Sequence, residues 1–172
     1  MKLPGRSLIS ACRIARRTRA LATDINRHYG PAPFVIVGLM NGSIFFLVDL
    51  VRLLPSSVRI ECWAVSSYRG ARSTGKLRGL PALGNRLRGQ RVLLVDDILD
   101  TGLTLSKVQA HLHTAGLAEL RTCVLLRKDV PRKVSCEVDW VGFDIANEYV
   151  IGYGLDLDGA YRALPMIRAL PV

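Results

Sequence analysis

Residues 92–104 read Val-Leu-Leu-Val-Asp-Asp-Ile-Leu-Asp-Thr-Gly-Leu-Thr, and no other stretch restricts the fold as much. Four consecutive apolar residues without alternation predict a strand covered on both faces, as in a parallel sheet. Three carboxylates, Asp96, Asp97 and Asp100, follow at its end. Unpaired buried charge is costly, so these acids need water, cations or hydroxyl donors. Thr101-Gly102-Leu103-Thr104 then turns into a helix. Free backbone N–H groups, two hydroxyls and the positive end of the helix dipole converge there on one spot, an anion site best suited to phosphate. Gly102 lets the backbone approach the anion closely. Acids for polyol hydroxyls beside a phosphate turn describe a sugar-phosphate cradle. A plain helix cap accounts for one polar residue, not for three acids and two threonines.

The rest of the chain supplies the scaffold. Strand-like runs occur at residues 34–39, 58–65, 91–95, 120–126 and 138–143, with helical patterns between them. Leu105, Val108, Leu112 and Ala115 step along one helix face, and Gly116 follows as a stop. This alternation predicts an α/β fold, a mainly parallel twisted sheet flanked by helices. At 172 residues the chain suits one domain rather than two. Ligands in such sheets bind beyond the carboxyl ends of the strands. Residues 34–39 end there in Met40-Asn41-Gly42-Ser43. From residue 145 the alternation stops, so residues 145–172 are expected to form a small hood lobe with the N-terminal helix, whose apolar face carries Ile14, Leu21 and Ile25.

The net charge of +10 needs an anionic partner, either nucleic acid or a small substrate. Residues 69–91 hold seven Arg or Lys, five Gly and no acid, which predicts a flexible basic loop over about residues 67–91. Tyr68 is the lone aromatic beside it, too few for a single-strand stacking surface. No stretch approaches the ~20 apolar residues of a membrane span. The basic N-terminus lacks the apolar core of a secretory signal, and a cytoplasmic location is expected. Cys12, Cys62, Cys123 and Cys136 are widely spaced, with Cys62 and Cys123 expected as reduced core residues. His111 and His113 diverge by about 200° on a helix, which makes them surface residues rather than a metal pair.

Residues 92–104 resemble the phosphoribosyl-pyrophosphate signature of type I phosphoribosyltransferases. Val37-Gly38-Leu39-Met40-Asn41-Gly42-Ser43 resembles their pyrophosphate loop, and Ser66-Ser67-Tyr68 the start of the loop that closes over the site. Leu125-Leu126-Arg127-Lys128, Val141-Gly142-Phe143, and Tyr149 through Asp156 with Arg162 resemble the hypoxanthine–guanine type. The matches keep the family's order from about residue 35 to 165.

The resemblance implies transfer of the 5-phosphoribosyl group from phosphoribosyl pyrophosphate to a 6-oxopurine, with Mg2+ as cofactor. Asp96 and Asp97 would hold the ribose hydroxyls, directly or through magnesium, and Asp100 would be the general base near N7. The turn from Asp100 through Thr101, Gly102, Leu103 and Thr104 would bind the 5-phosphate. Asn41, Gly42 and Arg162 would meet the pyrophosphate, and Ser67 and Tyr68 would open the closing loop. Lys128 would donate to the purine O6, Tyr149 would stack on the ring, and the Val150 carbonyl would accept from the guanine amine. Asp156 would bind a second magnesium. Relatives of this kind imply a homodimer or homotetramer.

Two positions depart from the family pattern. Asn41 stands where Lys or Arg is usual, and Asp96 where Glu is common. The rival reading from another class is an RNA-binding regulator on the same fold, for which the +10 charge is suited. Asp100 argues against it, since those regulators resemble this chain more closely where Tyr occupies that position. A transferase for xanthine or another base is a third reading.

Overall fold

A computed structural model describes residues 3–67, 77–131 and 134–171. Tyr68 and the basic residues Arg69, Arg72, Lys76, Arg132 and Lys133 lie outside the described residues. The chain runs β1 (Arg6–Ile9), α1 (Ala11–Tyr29), β2 (Val35–Met40), α2 (Ile44–Val51), β3 (Arg59–Ala64), β4 (Ser66–Ser67), β5 (Leu77–Arg78) and β6 (Arg91–Leu99). It continues through α3 (Leu103–His113), β7 (Glu119–Lys128), β8 (Trp140–Ile145), β9 (Tyr149–Ile151) and β10 (Ile167–Leu170).

Five strands form a parallel sheet in the order β3-β2-β6-β7-β8. Val92, Leu93, Leu94 and Val95 are completely buried in its central strand. Their alternate side chains feed two cores, Leu93 and Val95 on one face and Val92 and Leu94 on the other. Each such side chain contributes ~1.5–3 kcal/mol of burial before entropy is counted. Helix α1 starts at Ser10, whose Oγ accepts from the Arg13 N–H, and stops at Gly30 with φ +59°. Ile14, Thr18, Leu21, Ala22, Ile25 and Tyr29 form its buried face at three- and four-residue steps.

A second sheet of three antiparallel strands, β1-β10-β9, joins the N-terminus to the last part of the chain. Its N-terminal member is β1; α1 packs against α2 and β8, and Ile14, Leu21 and Ile25 share a core with Val150, Tyr153 and Ile167. The basic stretch anticipated as one loop is in part anchored. Leu77–Arg78 pairs with Ser66–Ser67, Leu83 and Leu87 are buried in the second core, and Gly89 N–H donates to Gly116. Two leucines spaced by four among the arginines give that segment a core contact of its own.

Two smaller expectations are corrected. Cys62 is exposed, because β3 is an edge strand with much of one side uncovered; Ile60, two residues earlier, is 47% exposed. Cys123, in the fourth strand of the sheet, is buried. His111 is half-buried rather than superficial: its Nε2 lies 2.9 Å from the Pro81 carbonyl, and its ring meets Trp63 edge-on.

Candidate active site

The three carboxylates Asp96, Asp97 and Asp100 do not all lie beyond the strand. β6 runs on through Asp96 and Asp97 to Leu99, with Asp96 beside Val124 and Ile98 beside Leu126 of β7. The carboxylates interrupt the apolar run, but Ile98 and Leu99 resume it and the backbone ladder continues. Asp96 is only 8% exposed, and its Oδ1 accepts from the Asp97 N–H at 3.0 Å. Burial and the neighbouring Asp97 carboxylate push Asp96 well above the usual carboxylate range. Burial likewise raises Asp97, against the pull of Arg162 and of hydrogen bonds from Asp96 and the Ile98 N–H.

Asp97 rests against the loop after β2. A Cβ built on Gly42 would lie 1.7 Å from Asp97 Oδ2, so only glycine leaves the carboxylate in place. In that loop a cis peptide joins Met40 to Asn41, and Ser43 Oγ donates back to the Leu39 carbonyl at 2.5 Å.

Beyond β6, Asp100 Oδ2 lies 3.1 Å from Lys128 Nζ at the end of β7. The Lys128 side chain is 12% exposed and that of Asp100 43%. The lysine is therefore held inward by the acid. Gly102, at φ +82°, starts α3 with no side chain capping it, so the first-turn N–H groups keep their capacity for an external acceptor. Leu103 at the head of the helix is exposed, flanked in the turn by Thr101 and Thr104.

The opposite wall comes from β9 and the segment after it. Tyr149 is 44% exposed, and its hydroxyl donates to the Asp156 carbonyl at 3.0 Å, while Val150 is buried. Asp156 Oδ1 is paired with Arg162 Nη2 at 2.8 Å, and its Oδ2 accepts from the Gly159 N–H. Arg162 Nη1 also donates to the Gly154 carbonyl. Ser67 belongs to β4, opposite Leu77, and Tyr68 lies outside the described residues.

Asp97, Asp100, Lys128, Tyr149, Val150 and Asp156 line one cavity of about 370 Å³. Ile98, Leu155 and Asp158 complete it and were not anticipated. Ile98 and Leu155 read as ordinary apolar neighbours of the motif residues; Asp158, two residues past Asp156 and at φ +50°, offered a weak signal. Asp96, Thr101, Gly102, Leu103, Thr104, Asn41, Gly42 and Arg162 stand outside this lining. Gly42 reaches it through Asp97, and Arg162 through Asp156.

Among the described residues no three His, Cys, Asp or Glu side chains cluster as a metal cage. Magnesium needs no such cage: it is commonly held by one or two carboxylates together with substrate phosphates. Asp97 and Asp156 face the same cavity, and the raised Asp96–Asp97 pair gains by a nearby cation. The donor set fits.

Residues 7–158 match the phosphoribosyl transferase domain family. The hypoxanthine-guanine phosphoribosyltransferase of Aquifex aeolicus is 42% identical over 156 residues, covering 90% of this chain and 88% of that protein. The hypoxanthine-guanine-xanthine phosphoribosyltransferase of Tritrichomonas foetus is 36% identical over 158 residues, 91% of this chain and 86% of its own. A Staphylococcus aureus hypoxanthine phosphoribosyltransferase structure superposes with a TM-score of 0.90 at 34% identity, covering 98% and 92% of the two chains. The Trypanosoma cruzi hypoxanthine phosphoribosyltransferase, solved with the product IMP, gives 0.89 at 36% identity, covering 99% and 96%.

Proposed function

The chain belongs to the phosphoribosyl transferase family, and we propose that it is a purine-salvage enzyme acting through the cavity between β6, β7 and β9. It transfers the 5-phosphoribosyl group of phosphoribosyl pyrophosphate to hypoxanthine or guanine, giving IMP or GMP and pyrophosphate. The observation that carries the assignment of roles is the Asp100–Lys128 pair, a proton acceptor 3.1 Å from a largely buried donor on the wall of a cavity that Tyr149 also lines.

The purine N9 attacks C1 of the sugar as the bond from C1 to the pyrophosphate oxygen breaks, and the electron pair leaves with pyrophosphate. The imidazole ring of the base then carries one proton too many. Asp100 takes it at N7, and a positioned acceptor of this kind contributes ~10²–10⁴-fold. Lys128 donates to O6 and disfavours adenine, whose 6-amino group would face an ammonium. Tyr149 stacks on the ring, and the Val150 carbonyl accepts from the guanine amine. Asp96 and Asp97 hold the ribose hydroxyls, and the turn from Asp100 to Thr104 holds the 5-phosphate with its N–H groups and threonine hydroxyls.

Asn41 brings no charge to the leaving group, so that task falls to Arg162 and to the backbone at Gly42. Magnesium bound by Asp97 and Asp156, with Asp96 behind, would neutralise pyrophosphate charge as it develops. No helix among the described residues is long and apolar enough to cross a membrane, and we assign the enzyme to the cytoplasm. A homodimer or homotetramer is supported by the apolar side chains exposed on α2 and β3: Ile44, Phe45, Val48 and Ile60.

The test offers hypoxanthine, guanine, xanthine and adenine in parallel with phosphoribosyl pyrophosphate and magnesium, and follows nucleotide and pyrophosphate together. Equal amounts of IMP or GMP and pyrophosphate are expected. Salt-sensitive RNA binding with no nucleotide from any base would reverse the reading.

A further inference from the structure

We infer that Tyr153 is a positioning residue that fixes the spacing between the base wall and the pyrophosphate loop, acting through Asp49 and without touching substrate. The inference rests on the reading above. Gly152, Tyr153 and Gly154 have φ of +95°, +50° and +101°. Glycine adopts such angles freely, but tyrosine does so at a cost of ~1–2 kcal/mol. Something must hold it there. Its N–H donates to the Leu164 carbonyl at 2.7 Å, and its ring is buried in the core beneath the hood. Its hydroxyl donates to Asp49 Oδ2 at 2.6 Å.

Asp49 sits on α2, and α2 begins two residues after Gly42. The carboxylate is exposed and lies outside the cavity lining, so water alone would solvate it. The contact therefore serves geometry rather than charge. The next residue shows what is being spaced: a Cβ on Gly154 would fall 1.9 Å from the Gly42 carbonyl oxygen. Backbone rests on backbone at that point, and the Gly154 carbonyl is held by Arg162. Tyr153 thus clamps the segment bearing Asp156 and Arg162 onto the loop that packs Asp97. A pyrophosphate group spans both sides of this joint, whereas a purine touches mainly one.

The clamp predicts a split between the two substrates. Tyr153→Phe keeps the ring and removes the hydroxyl, and Asp49→Ala removes the acceptor from an exposed helix position. Each should raise KM for phosphoribosyl pyrophosphate about tenfold, ~1.4 kcal/mol, with KM for hypoxanthine within about twofold. The double variant should match Tyr153→Phe, because the Asp49 contact is already absent there. Unchanged KM for phosphoribosyl pyrophosphate in an active enzyme, or equal rises in both KM values, would overturn the clamp, as would a lower thermal midpoint alone. A wild type that turns over no base would overturn the functional reading and the clamp together.

Discussion

Replacing Lys128 by methionine tests the base-selecting donor. The side chains are similar in length, and methionine fills the space of a lysine that is only 12% exposed. What is lost is the ammonium 3.1 Å from Asp100, together with its hydrogen bond to O6. A hydrogen bond from a charged group is worth ~1.5–3 kcal/mol. Transition-state binding of hypoxanthine should fall accordingly, a loss of about 10- to 150-fold in kcat/KM. Adenine loses the repulsive donor, so the preference for hypoxanthine over adenine should narrow. The fold should tolerate the change. Asp100 is 43% exposed and keeps water, so stability should shift by less than ~0.5 kcal/mol. Steady-state kinetics with both bases, beside a thermal melt, reads all three effects. A variant whose kcat/KM for hypoxanthine stays within twofold of wild type, with its base preference intact, would refute the reasoning.

Other outcomes follow from the same geometry. Asp100→Ala leaves the inward Lys128 ammonium unpaired, so here the melt should respond: ~1–3 kcal/mol is lost, about 2–12 °C for a chain of this size. Gly42→Ala drives a Cβ to 1.7 Å from Asp97 Oδ2 and must displace that carboxylate. It should raise KM for phosphoribosyl pyrophosphate at least about tenfold while KM for the base holds. Glu119 gives a pH dependence. Burial alone would raise its carboxyl, but hydrogen bonds from Arg91, Arg121 and His28 outweigh burial and hold it at about 2. A lowered folded value contributes stability above its ordinary 4.5, and that contribution fades as pH falls toward 2. Denaturant melts of wild type and Glu119→Gln should therefore differ by ~2–3 kcal/mol at pH 6 and converge near pH 2; a constant gap across that range would contradict the assignment.

The five parallel strands were legible because their apolar runs announce themselves, and so were the buried positions of α1, whose three- and four-residue steps need no tertiary knowledge. The end of β6 was not. A reading that follows hydropathy stops at Asp96, since nothing local shows that the carboxylates stay in the ladder beside β7. Cys62 failed for the complementary reason: apolar neighbours mark a strand but not whether it lies at the edge of the sheet. Of the residues expected at the site, Asp97, Asp100, Lys128, Tyr149, Val150 and Asp156 line one cavity, whereas Asp96, Asn41, Gly42, Arg162 and the turn residues Thr101 to Thr104 lie outside its lining. The packing of Gly42 on Asp97, and of Gly154 on Gly42, joins residues far apart in the chain, and only the folded geometry reveals those contacts.

The most direct test of the central claim compares wild type with Asp100→Asn in the rate of IMP formation, at saturating magnesium, phosphoribosyl pyrophosphate and hypoxanthine. Asparagine keeps the size and can still accept from Lys128, but it cannot take the proton. A fall of ~10²–10⁴ in kcat with the melt preserved is the expected result. A kcat within threefold of wild type would contradict the account, since the proton would then leave the purine by a route in which Asp100 has no part.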